Sequence, residues 1–500
     1  MIRLQILAIS GAAFSVVAGA ALAVTPENTN YYGSIYPEDT VAPLDGSSKS
    51  TAAQRGASIG MRLESALGPA GYLVSGNRIG AEFVTAVRRA VGRHPAFHAQ
   101  ASDLGESQAI RRRARSALYP QISGQLSGDY SIQRDFSDQT DNVVESLRPR
   151  ERFTAGVSAS QLVFDGGATM QRIRSARALD EEYRNALSTR INDLAMQGLT
   201  AYYDVAAHQA LAAFGQAYIR RHEQILNDVK ERERLGAGSR ADVTRAFARL
   251  AAARARLSEI NESKRIADIR YEEFFGEQPS ALRRPYIDGA DIESRNETVA
   301  VALDSNPEIA AAAARADARQ ADFKAAKGAR YPEVRLTVDA VKYDVFDGGE
   351  DFDVRAGVNV NYNIFGGGAR SADIAIARSR AQKERFNSER VRQEVAREAA
   401  MAFERLEGAD ERLVTLGEAI IAHDDTRDLV LERYRLSRGD LIDVLQAESD
   451  YFEAGVSFVI ALTGRDMAEF ALMEQTGDLL RAFSPENEYE DALYGAANER

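Results

Sequence analysis

FTAGVSASQLVFDGG, residues 153–167, alternates apolar residues with small polar ones and then stops at two glycines. Alternation with a period of two is typical of a β-strand that has one apolar face. Beyond the glycines, the chain continues to about residue 235 without a proline, which predicts a very long helix. A strand joined directly to such a helix is the feature that any fold for this chain must explain.

The composition is that of a folded, acidic chain of 500 residues. Hydrophobic residues make up 45% of it and charged residues 27%, which is ample for a folded body and too polar for a bundle of membrane helices. The formal net charge of −12 argues against nucleic-acid binding, because a phosphate backbone requires a basic surface. Cysteine is absent, so there are no disulfides, no thiolate metal sites and no cysteine to accept a lipid anchor.

Residues 1–23 have the arrangement of a secretory signal peptide. An early arginine is followed by an apolar run and by small residues at its end, so we expect cleavage after Ala23. The alternative is a membrane anchor, but serines and glycines interrupt the run and it is short for a span. Residues 24–80 are expected to form a flexible segment, and the acidic tail at 484–500 is expected to fray. No later apolar run is long enough to predict a membrane-spanning helix.

Several motifs occur twice at matching distances. Pro95 precedes Pro120 by 25 residues, and Pro307 precedes Pro332 by 25. A common offset of 201 residues relates LVFDGGA to NIFGGGA and RLGAGSRADV to RLSRGDLIDV. An offset maintained over about eighty residues indicates a tandem duplication.

Each copy contains a predicted pair of strands, at about 121–164 in the first and about 333–365 in the second. Both pairs alternate an apolar face with a small or hydrated one, which is the pattern of an outer-membrane barrel strand. A sandwich edge with one wet face is the alternative on alternation alone. The predicted apolar positions include Ile122, Leu126, Tyr130, Ile132, Phe153, Ala155, Val157, Ala159, Val334, Leu336, Val338, Ala340, Val354, Ala356, Val358, Val360, Tyr362 and Ile364.

Four strands are too few to close a membrane barrel, whose known minimum is about eight. An open edge in lipid leaves backbone groups without hydrogen bonds at a cost of several kcal/mol each. If these strands span a membrane, several chains must therefore contribute strands to one barrel. Three chains would supply twelve strands.

The long helices are predicted from Ala168 to Leu235 and from Ala369 to Ser437, each about 100 Å long at 1.5 Å per residue. Each ends at a glycine-bearing turn, after which a second helix returns to form a hairpin. Helices of this length require neighbours along a coiled-coil array. A cytoskeletal or scaffold coiled coil would also fit the helices, but not the strand pairs or the signal peptide.

Prolines and glycines mark the junctions between helix and strand. Proline disfavours helix in the residue before it, so the preceding helices should end near the two Tyr-Pro pairs. Paired glycines then allow the chain to pass from strand to long helix. The predicted junction residues are Pro120, Gly166, Gly167, Pro332, Gly367 and Gly368.

The duplicated order of helix, proline, strand pair, FDGG or FGGG, long helix, glycine-bearing turn with Asp-Val, and returning helix resembles the TolC family of outer-membrane channel proteins. The resemblance covers about residues 80–483. It implies an α+β, mainly α fold: a homotrimer with a twelve-stranded outer-membrane β-barrel, four strands per chain, continued by a long α-helical coiled-coil tunnel in the periplasm. It also implies repeats at 81–275 and 296–483, joined by an equatorial linker at 276–295.

The resemblance further implies partners and a passive role. Members of the family dock on a periplasmic adaptor protein and an inner-membrane transporter, either ABC or proton-driven, and sit in outer-membrane lipid. The predicted function is the exit duct of a type I secretion or efflux system, and the missing lipid-anchor cysteine favours type I secretion. A periplasmic coiled-coil adaptor or scaffold without a barrel is the alternative of a different class.

The same resemblance assigns a gate to the two glycine-bearing turns. Asp443 falls at a position that contributes an acid to a ring at the constriction, and Gln446 stands where some relatives have a second acid. Asp242 would face Tyr434 and Arg438, which can both donate to a carboxylate. Without the resemblance, these residues would be interpreted as helix caps and solvated charges. A single carboxylate ring predicts only a weak bias towards cations.

Other patterns give no support for catalysis or cofactors. His94 and His98 have a spacing that can share a metal, but Pro95 intervenes and a third ligand is not evident. The glycines at 366–368 lack the Lys-Ser/Thr of a phosphate-binding loop. Because no nucleophile, base and oxyanion donor can be assembled, we predict that the protein is not an enzyme and holds no cofactor or metal.

Overall fold

A computed structural model describes residues 60–133, 151–286, 292, 294–346 and 351–483. The predicted signal peptide, most of the predicted flexible segment, part of the linker and the acidic tail lie outside the described residues. The described chain is mainly helical with a small antiparallel sheet, which confirms the α+β, mainly α fold class.

The first half carries two strands followed by a hairpin of long helices. Its elements are α1 (60–67), a 3₁₀ turn (Gly68–Ala70), α2 (Tyr72–Ser75), β1 (Asn77–Arg78), α3 (Ala81–Arg93), α4 (Pro95–Ser116), β2 (Gln121–Tyr130), β3 (Glu151–Phe164), α5 (Ala168–Arg234) and α6 (Arg240–Phe275).

The second half presents the same succession. Its elements are β4 (Pro285–Tyr286), α7 (Arg295–Ser305), α8 (Pro307–Gly328), β5 (Glu333–Tyr343), β6 (Phe352–Asn361), α9 (Ala369–Arg435), α10 (Leu441–Thr476) and α11 (Asp478–Phe483). Three pairs of corresponding helices have equal lengths: α4 and α8 contain 22 residues, α5 and α9 contain 67, and α6 and α10 contain 36.

The helices that lead to the sheet begin at similar caps. In α4, Nδ1 of His94 accepts a hydrogen bond from the backbone N–H of Ala96 at 3.1 Å. In α8, Oδ1 of Asn306 accepts one from Glu308 at 2.9 Å. Each cap is followed by a proline at the first helical position, where a missing N–H carries no penalty. His94 is thus a helix cap.

The sheet has the strand order β2-β3-β5-β6, with all pairs antiparallel. Its register aligns the apolar faces of all four strands: Gly124 pairs with Val157, Val157 with Ala340, and Ala340 with Val354. The outer edges of β2 and β6 have no strand partner among the described residues. The chain therefore carries a ribbon with one continuous apolar face and two open edges.

The strands differ from the predicted alternation near their ends. Ile132, Tyr362 and Ile364 were expected on the apolar face, but β2 ends at Tyr130 and β6 at Asn361. A register shift between Leu162 and Phe164 inserts an extra residue in β3 and brings Phe164 opposite Val334. The bulge thus places Phe164 instead of Val163 on the apolar face at the end that joins the helix.

Glycines with positive φ make the turn from strand to long helix. Gly166 and Gly167 have φ of +67° and +80°, and Gly367 and Gly368 have φ of +60° and +87°. In the first junction, the Asp165 carboxylate also accepts a hydrogen bond from the N–H of Thr169 at 2.6 Å. A left-handed backbone favours glycine, which explains the paired glycines of both motifs.

Residues 60–75 differ from the expectation of a flexible segment. Leu67 and Leu73 are fully buried in the main core, which is built around the middle of α5 and the middle of α10. The Tyr451 hydroxyl donates to the carbonyl of Ala66 at 2.6 Å, and Arg62 forms an ion pair with Asp425 at 3.0 Å. This segment is therefore ordered by side chains from the far end of the sequence.

The described part of the predicted equatorial linker is held by a buried ion pair. Arg284 contacts Asp466 of α10 through two hydrogen bonds, at 2.5 and 2.8 Å, and also donates to the carbonyl of Val74 at 3.2 Å. The Tyr203 hydroxyl donates to the carbonyl of Pro285. Through these bonds Arg284 ties this segment to both α10 and the N-terminal segment, and removal of one partner would leave a buried charge unpaired.

None of the described helices is both long enough and apolar enough to cross a membrane.

We expect Gly166→Ala to destabilise the protein more than Gly167→Ala. A Cβ at position 166 would lie 2.4 Å from the carbonyl oxygen of Gly328, whereas a Cβ at 167 would have no atom within 4 Å. Left-handed strain alone costs about 1–2 kcal/mol, and the overpacking at 166 adds about 1–3 kcal/mol. Denaturant unfolding of the two detergent-solubilised variants measures the difference, and equal losses of stability would contradict the close packing of this junction.

Candidate functional site

The two helical hairpins meet at their tips, where the turns 235–239 and 436–440 lie. A small apolar core joins them and is separate from the main core. It contains residues of all four helices: Ile225, Leu226, Val229, Ala246, Leu250, Leu431, Leu441, Val444 and Leu445. The turns are therefore held next to each other by packing a short distance behind them.

The first turn is stabilised by hydrogen bonds among its own residues. Gly236 has φ of +77°, and the N–H of Ala237 donates to the carbonyl of Arg232 at 2.8 Å. Ser239 and Asp242 form a capping box: the N–H of Asp242 donates to Oγ of Ser239 at 3.1 Å, and the N–H of Ser239 donates to the Asp242 carboxylate at 3.3 Å. Arg245 forms an ion pair with the same carboxylate at 3.2 Å. Asp242 is thus bonded within its own helix.

The second turn has a similar backbone path, but its backbone is more strained and its helix cap lacks a side-chain hydrogen bond. Ser437 occupies the place of Gly236 and has φ of +59°, a left-handed conformation that strains a residue with a Cβ. Asp440 precedes α10 as its N-cap but makes no side-chain capping bond. The second hairpin tip is therefore less strongly fixed by its own residues than the first.

A single arginine bridges the two hairpins at this point. Arg232, in the last turn of α5, donates to the carbonyls of Tyr434 and Arg435 at 3.2 and 3.4 Å. Its guanidinium carbon lies 4.3 Å from the centre of the Tyr434 ring. A cation at a helix C-terminus is favoured by the helix dipole, and a cation over an aromatic ring by the ring quadrupole. Arg232 therefore holds the end of α9 against the end of α5.

Tyr434 is half-buried between these charges. Burial raises the pKa of Tyr434, the Arg232 guanidinium opposes that change, and the Asp242 carboxylate adds to it. The negative charge of Asp242 thus disfavours ionisation of the Tyr434 hydroxyl. The Tyr434 ring contacts the Arg232 guanidinium and also packs against the small apolar core.

The remaining predicted gate residues lie exposed at the tip. Arg438 is exposed, and its backbone N–H donates to the carbonyl of Arg433 at 2.9 Å. Asp443 and Gln446 are exposed on α10, and the Gln446 amide donates to the Asp450 carboxylate at 2.7 Å. Asp450 lies one heptad beyond Asp443, so the two acids occupy similar positions on the helix.

Sequence reasoning missed Arg232 and Asp450. Nothing local distinguishes Arg232 among the charges of ERERL, because its aromatic partner lies 202 residues further on. Asp450 could have been found from the spacing of four residues after Gln446, which places both side chains on one helix face. The described residues contain no group of three or more His, Cys, Asp or Glu side chains that could hold a metal ion.

A second polar cluster lies behind the tip core. Arg221 donates to the buried Glu448 carboxylate at 2.7 Å, and the Arg427 guanidinium carbon lies 4.2 Å from the centre of the Tyr451 ring. Burial raises the pKa of Glu448, while its bond to Arg221 opposes that change. Burial also raises the pKa of Tyr451 to about 12. The cluster links α5, α9 and α10 by paired charges, which are tolerated at these buried positions.

His222 lies next to this cluster without a hydrogen bond. It is 1% exposed, both of its ring nitrogens are unpartnered, and its ring packs edge-on against Tyr218 at 4.5 Å. Burial, together with the positive charges of Arg249 and Arg221, lowers the pKa of His222 to about 4. The imidazole is therefore neutral in the folded protein at neutral pH.

Comparison with known proteins identifies relatives of this chain. The family profile described as "Outer membrane efflux protein" matches residues 86–276 and 298–478. Among curated proteins, BepC of Brucella suis, an outer membrane efflux protein, is 27% identical over 367 residues, which cover 73% of this chain and 78% of BepC. TtgC of Pseudomonas putida, described as a probable efflux pump outer membrane protein, is 24% identical over 366 residues, covering 71% of this chain and 74% of TtgC.

A solved structure has the same fold. The outer membrane protein VceC from Vibrio cholerae superposes with a TM-score of 0.69 at 17% sequence identity, over 79% of this chain and 96% of VceC. At this identity the likeness concerns the fold alone. It extends over nearly all of the compared protein.

The contact between Arg232 and Tyr434 predicts energetic coupling. We expect a double-mutant cycle of Arg232→Ala and Tyr434→Ala to give a coupling energy of about 1 kcal/mol, because the cation lies over the ring at a half-buried site. Denaturant unfolding of the four proteins measures it. The bonds from Arg232 to backbone carbonyls survive in Tyr434→Ala, so the cycle isolates the ring contact, and a coupling energy of zero would contradict that contact.

His222 predicts an acid-sensitive stability. Its folded pKa of about 4 lies below the ordinary value of 6.5, so between these values the unfolded chain binds a proton that the folded chain does not. Stability should be fully present above about pH 6.5 and should fall by up to about 3 kcal/mol as the pH drops to 4. His222→Phe should flatten this slope, whereas His98→Gln, at an exposed histidine, should leave it unchanged. An unchanged slope in His222→Phe would contradict the assignment.

Proposed function

Because this chain belongs to the outer membrane efflux protein family, we propose that three copies assemble into an exit duct, with a barrel in the outer membrane and a helical tunnel in the periplasm. The observation that carries the proposal is a four-stranded sheet with two open edges, joined without a break to two helices of 67 residues. The predicted lack of enzymatic activity agrees with membership in a family of efflux channels.

The open edges support assembly through the sheet. β2 and β6 each leave one row of backbone donors and acceptors without a strand partner within the described chain. In lipid such groups must be paired, and the edge of β6 in one chain can pair with the edge of β2 in the next. Three chains would close a barrel of twelve strands. The equal lengths of three pairs of corresponding helices in the two halves agree with the proposed duplication.

The exposure of the apolar face supports contact with lipid. Ile122 is 74% exposed, and Leu126 and Val358 are each 66% exposed. Exposed aromatic side chains stand at both ends of this face, as they do at the two interfaces of barrels in membranes. They are Tyr119, Tyr331 and Phe365 at the helix end, and Tyr130, Phe346 and Phe352 at the opposite end.

The other face of the sheet suits a water-filled interior. Ser123 and Ser158 share a hydrogen bond of 2.7 Å across β2 and β3, and the Asn359 amide approaches the Thr337 hydroxyl at 3.5 Å. Arg355 forms an ion pair with Asp353 on β6. A polar inner face is expected where strands surround an aqueous channel.

We further propose that the hairpin tips form the gate. Asp242, Tyr434, Arg438, Asp443 and Gln446 keep the roles predicted for them, and two facts sharpen the picture. The residue that binds Tyr434 directly is Arg232, and the acid nearest to Gln446 is Asp450. Opening would separate the less strongly fixed second turn from the first, and would require the Arg232 contacts to break.

The remaining assignments concern partners and cargo. We propose that the duct works with a periplasmic adaptor protein and an inner-membrane transporter, as expected of a channel of this family. The family match favours a channel over the alternative of a barrel-free adaptor. Type I secretion, favoured by the missing lipid-anchor cysteine, stays a prediction. Deletion of the gene should identify the cargo, either as a protein missing from the culture medium or as an increased sensitivity to small toxic molecules.

Single-channel recording in planar bilayers tests the duct and its gate together. The parent protein should conduct, and Asp242→Ala and Arg232→Ala should each raise its conductance, because each removes a charge that holds a tip in place. Tyr434→Phe tests whether the hydroxyl also contributes, and a rise is expected there too.

Lys230→Ala is the matched control, since Lys230 is exposed on the same helix two residues from Arg232. No conductance from a folded, assembled parent would contradict the channel. Conductances equal to that of Lys230→Ala in all the tip variants would place the closure elsewhere.

A further inference from the structure

Basic residues are concentrated at one end of the sheet. The four helix ends that adjoin it, at 110–119, 168–179, 322–331 and 369–380, contain thirteen Arg or Lys residues and two Asp residues. The chain as a whole has a net charge of −12. The register places these four helix ends together, because the start of β2 pairs with the end of β3 and the start of β5 with the end of β6.

The helices that lead into the sheet carry exposed cations at corresponding positions. Two pairs match: Arg112 and Lys324 lie eight residues before the strand-starting prolines, and Arg115 and Lys327 lie five residues before them. All are exposed and none forms an ion pair with a described residue. We call the following residues the basic collar: Arg112, Arg113, Arg115, Lys324, Lys327 and Arg330.

The long helices that leave the sheet add to the same zone. On α5 the exposed cations are Arg172, Arg174 and Arg177, and on α9 they are Arg378 and Arg380. By contrast, Arg111 in the same zone is already paired with Asp180 at 2.9 Å. Most cations of this zone therefore form no ion pair with a described residue.

The opposite end of the sheet has a different charge. Its described residues carry more acids than bases, so the excess of cations belongs to the helix end alone. The acids are Asp129, Glu151, Asp344, Asp351 and Asp353, and the bases are Arg152, Lys342 and Arg355. Because the two ends of the apolar face differ in charge, we expect the sheet to meet a different environment at each end.

We propose that the basic collar binds the phosphate headgroups of anionic phospholipids in the membrane leaflet that borders the helix end of the sheet. The inference rests on the proposed function, because it requires the apolar face of the sheet to lie in lipid. The collar then lies at headgroup level, just beyond the exposed Tyr119 and Tyr331 rings. Guanidinium and ammonium groups at a membrane surface attract anionic headgroups, and each basic residue there strengthens the attraction.

Continuity with the apolar face favours a lipid over a protein partner or an anionic cargo. The collar begins within about one to two helical turns of the strands. None of its cations forms an ion pair with a described residue, although the Lys327 ammonium lies 4.5 Å from the centre of the Phe323 ring. A collar that served cargo would instead line the pore and would set its ion selectivity.

A tryptophan reporter makes the proposal measurable. The chain contains no tryptophan, so Tyr119→Trp introduces the only one, at a 68% exposed position between the collar and the sheet. The full-length protein would be reconstituted into vesicles, and quenching by brominated phosphatidylglycerol would be compared with quenching by brominated phosphatidylcholine. Conductance of the same preparation establishes insertion.

The collar variant carries Arg112→Gln, Arg115→Gln, Lys324→Gln and Lys327→Gln in the reporter background. Its matched control removes four exposed, unpaired cations far from the sheet, by Arg220→Gln, Lys230→Gln, Arg392→Gln and Arg405→Gln. The reporter and the control should prefer phosphatidylglycerol by about threefold or more, and high salt should weaken that preference. The collar variant should show a ratio near one.

Each other outcome overturns the proposal in a recognisable way. Insertion and conductance without any preference for phosphatidylglycerol would overturn the collar alone. A preference retained in the collar variant would assign it to other residues, and a change in ion selectivity with an unchanged lipid preference would assign the collar to the pore. Failure to insert or conduct would overturn the proposed function and the collar together.

Discussion

The need to pair every backbone hydrogen-bonding group in lipid is the constraint on which the proposed assembly depends. The described sheet has four strands, and β2 and β6 leave their outer edges open. In water an open edge is tolerable, whereas in lipid each unpaired group costs several kcal/mol. The sheet can therefore enter a membrane only if it is closed by strands from other chains. The proposed trimer would supply that closure, whereas the hairpin tips already meet within one chain.

The two ends of the long helices meet different requirements. At the sheet, paired glycines and the bulge at Phe164 let strand become helix without losing the apolar face. At the tips, the first turn is fixed by a capping box and the second contains a strained Ser437. Arg232 crosses from the first hairpin to the second. In the proposed duct, the sheet end would be firmly fixed in the membrane, and the less strongly fixed second turn would be the part that moves on opening.

Patterns confined to one segment could be predicted from the sequence, and contacts between distant segments could not. The long helices and the faces of the strands follow from proline placement and from period-two alternation. The bulge was missed because an inserted residue leaves the composition of a strand unchanged. The buried segment around Leu67 was missed because it precedes every repeated motif and is bonded to Tyr451, 385 residues from Ala66. Arg232 was missed for the same reason, since its partner Tyr434 belongs to the other half of the chain.

Cross-linking between the open edges tests the assembly most directly. The absence of native cysteine allows Ser123→Cys on β2 and Asn359→Cys on β6 to be the only thiols in the chain. These positions lie on the polar face and near the helix end of the sheet, at opposite edges of one chain. Treatment of the membrane-inserted protein with a short bismaleimide should yield a covalent product of three chains on a denaturing gel, while each single-cysteine chain stays monomeric. A double-cysteine chain that gives only monomers, or a ladder extending beyond three chains, would contradict the closed barrel.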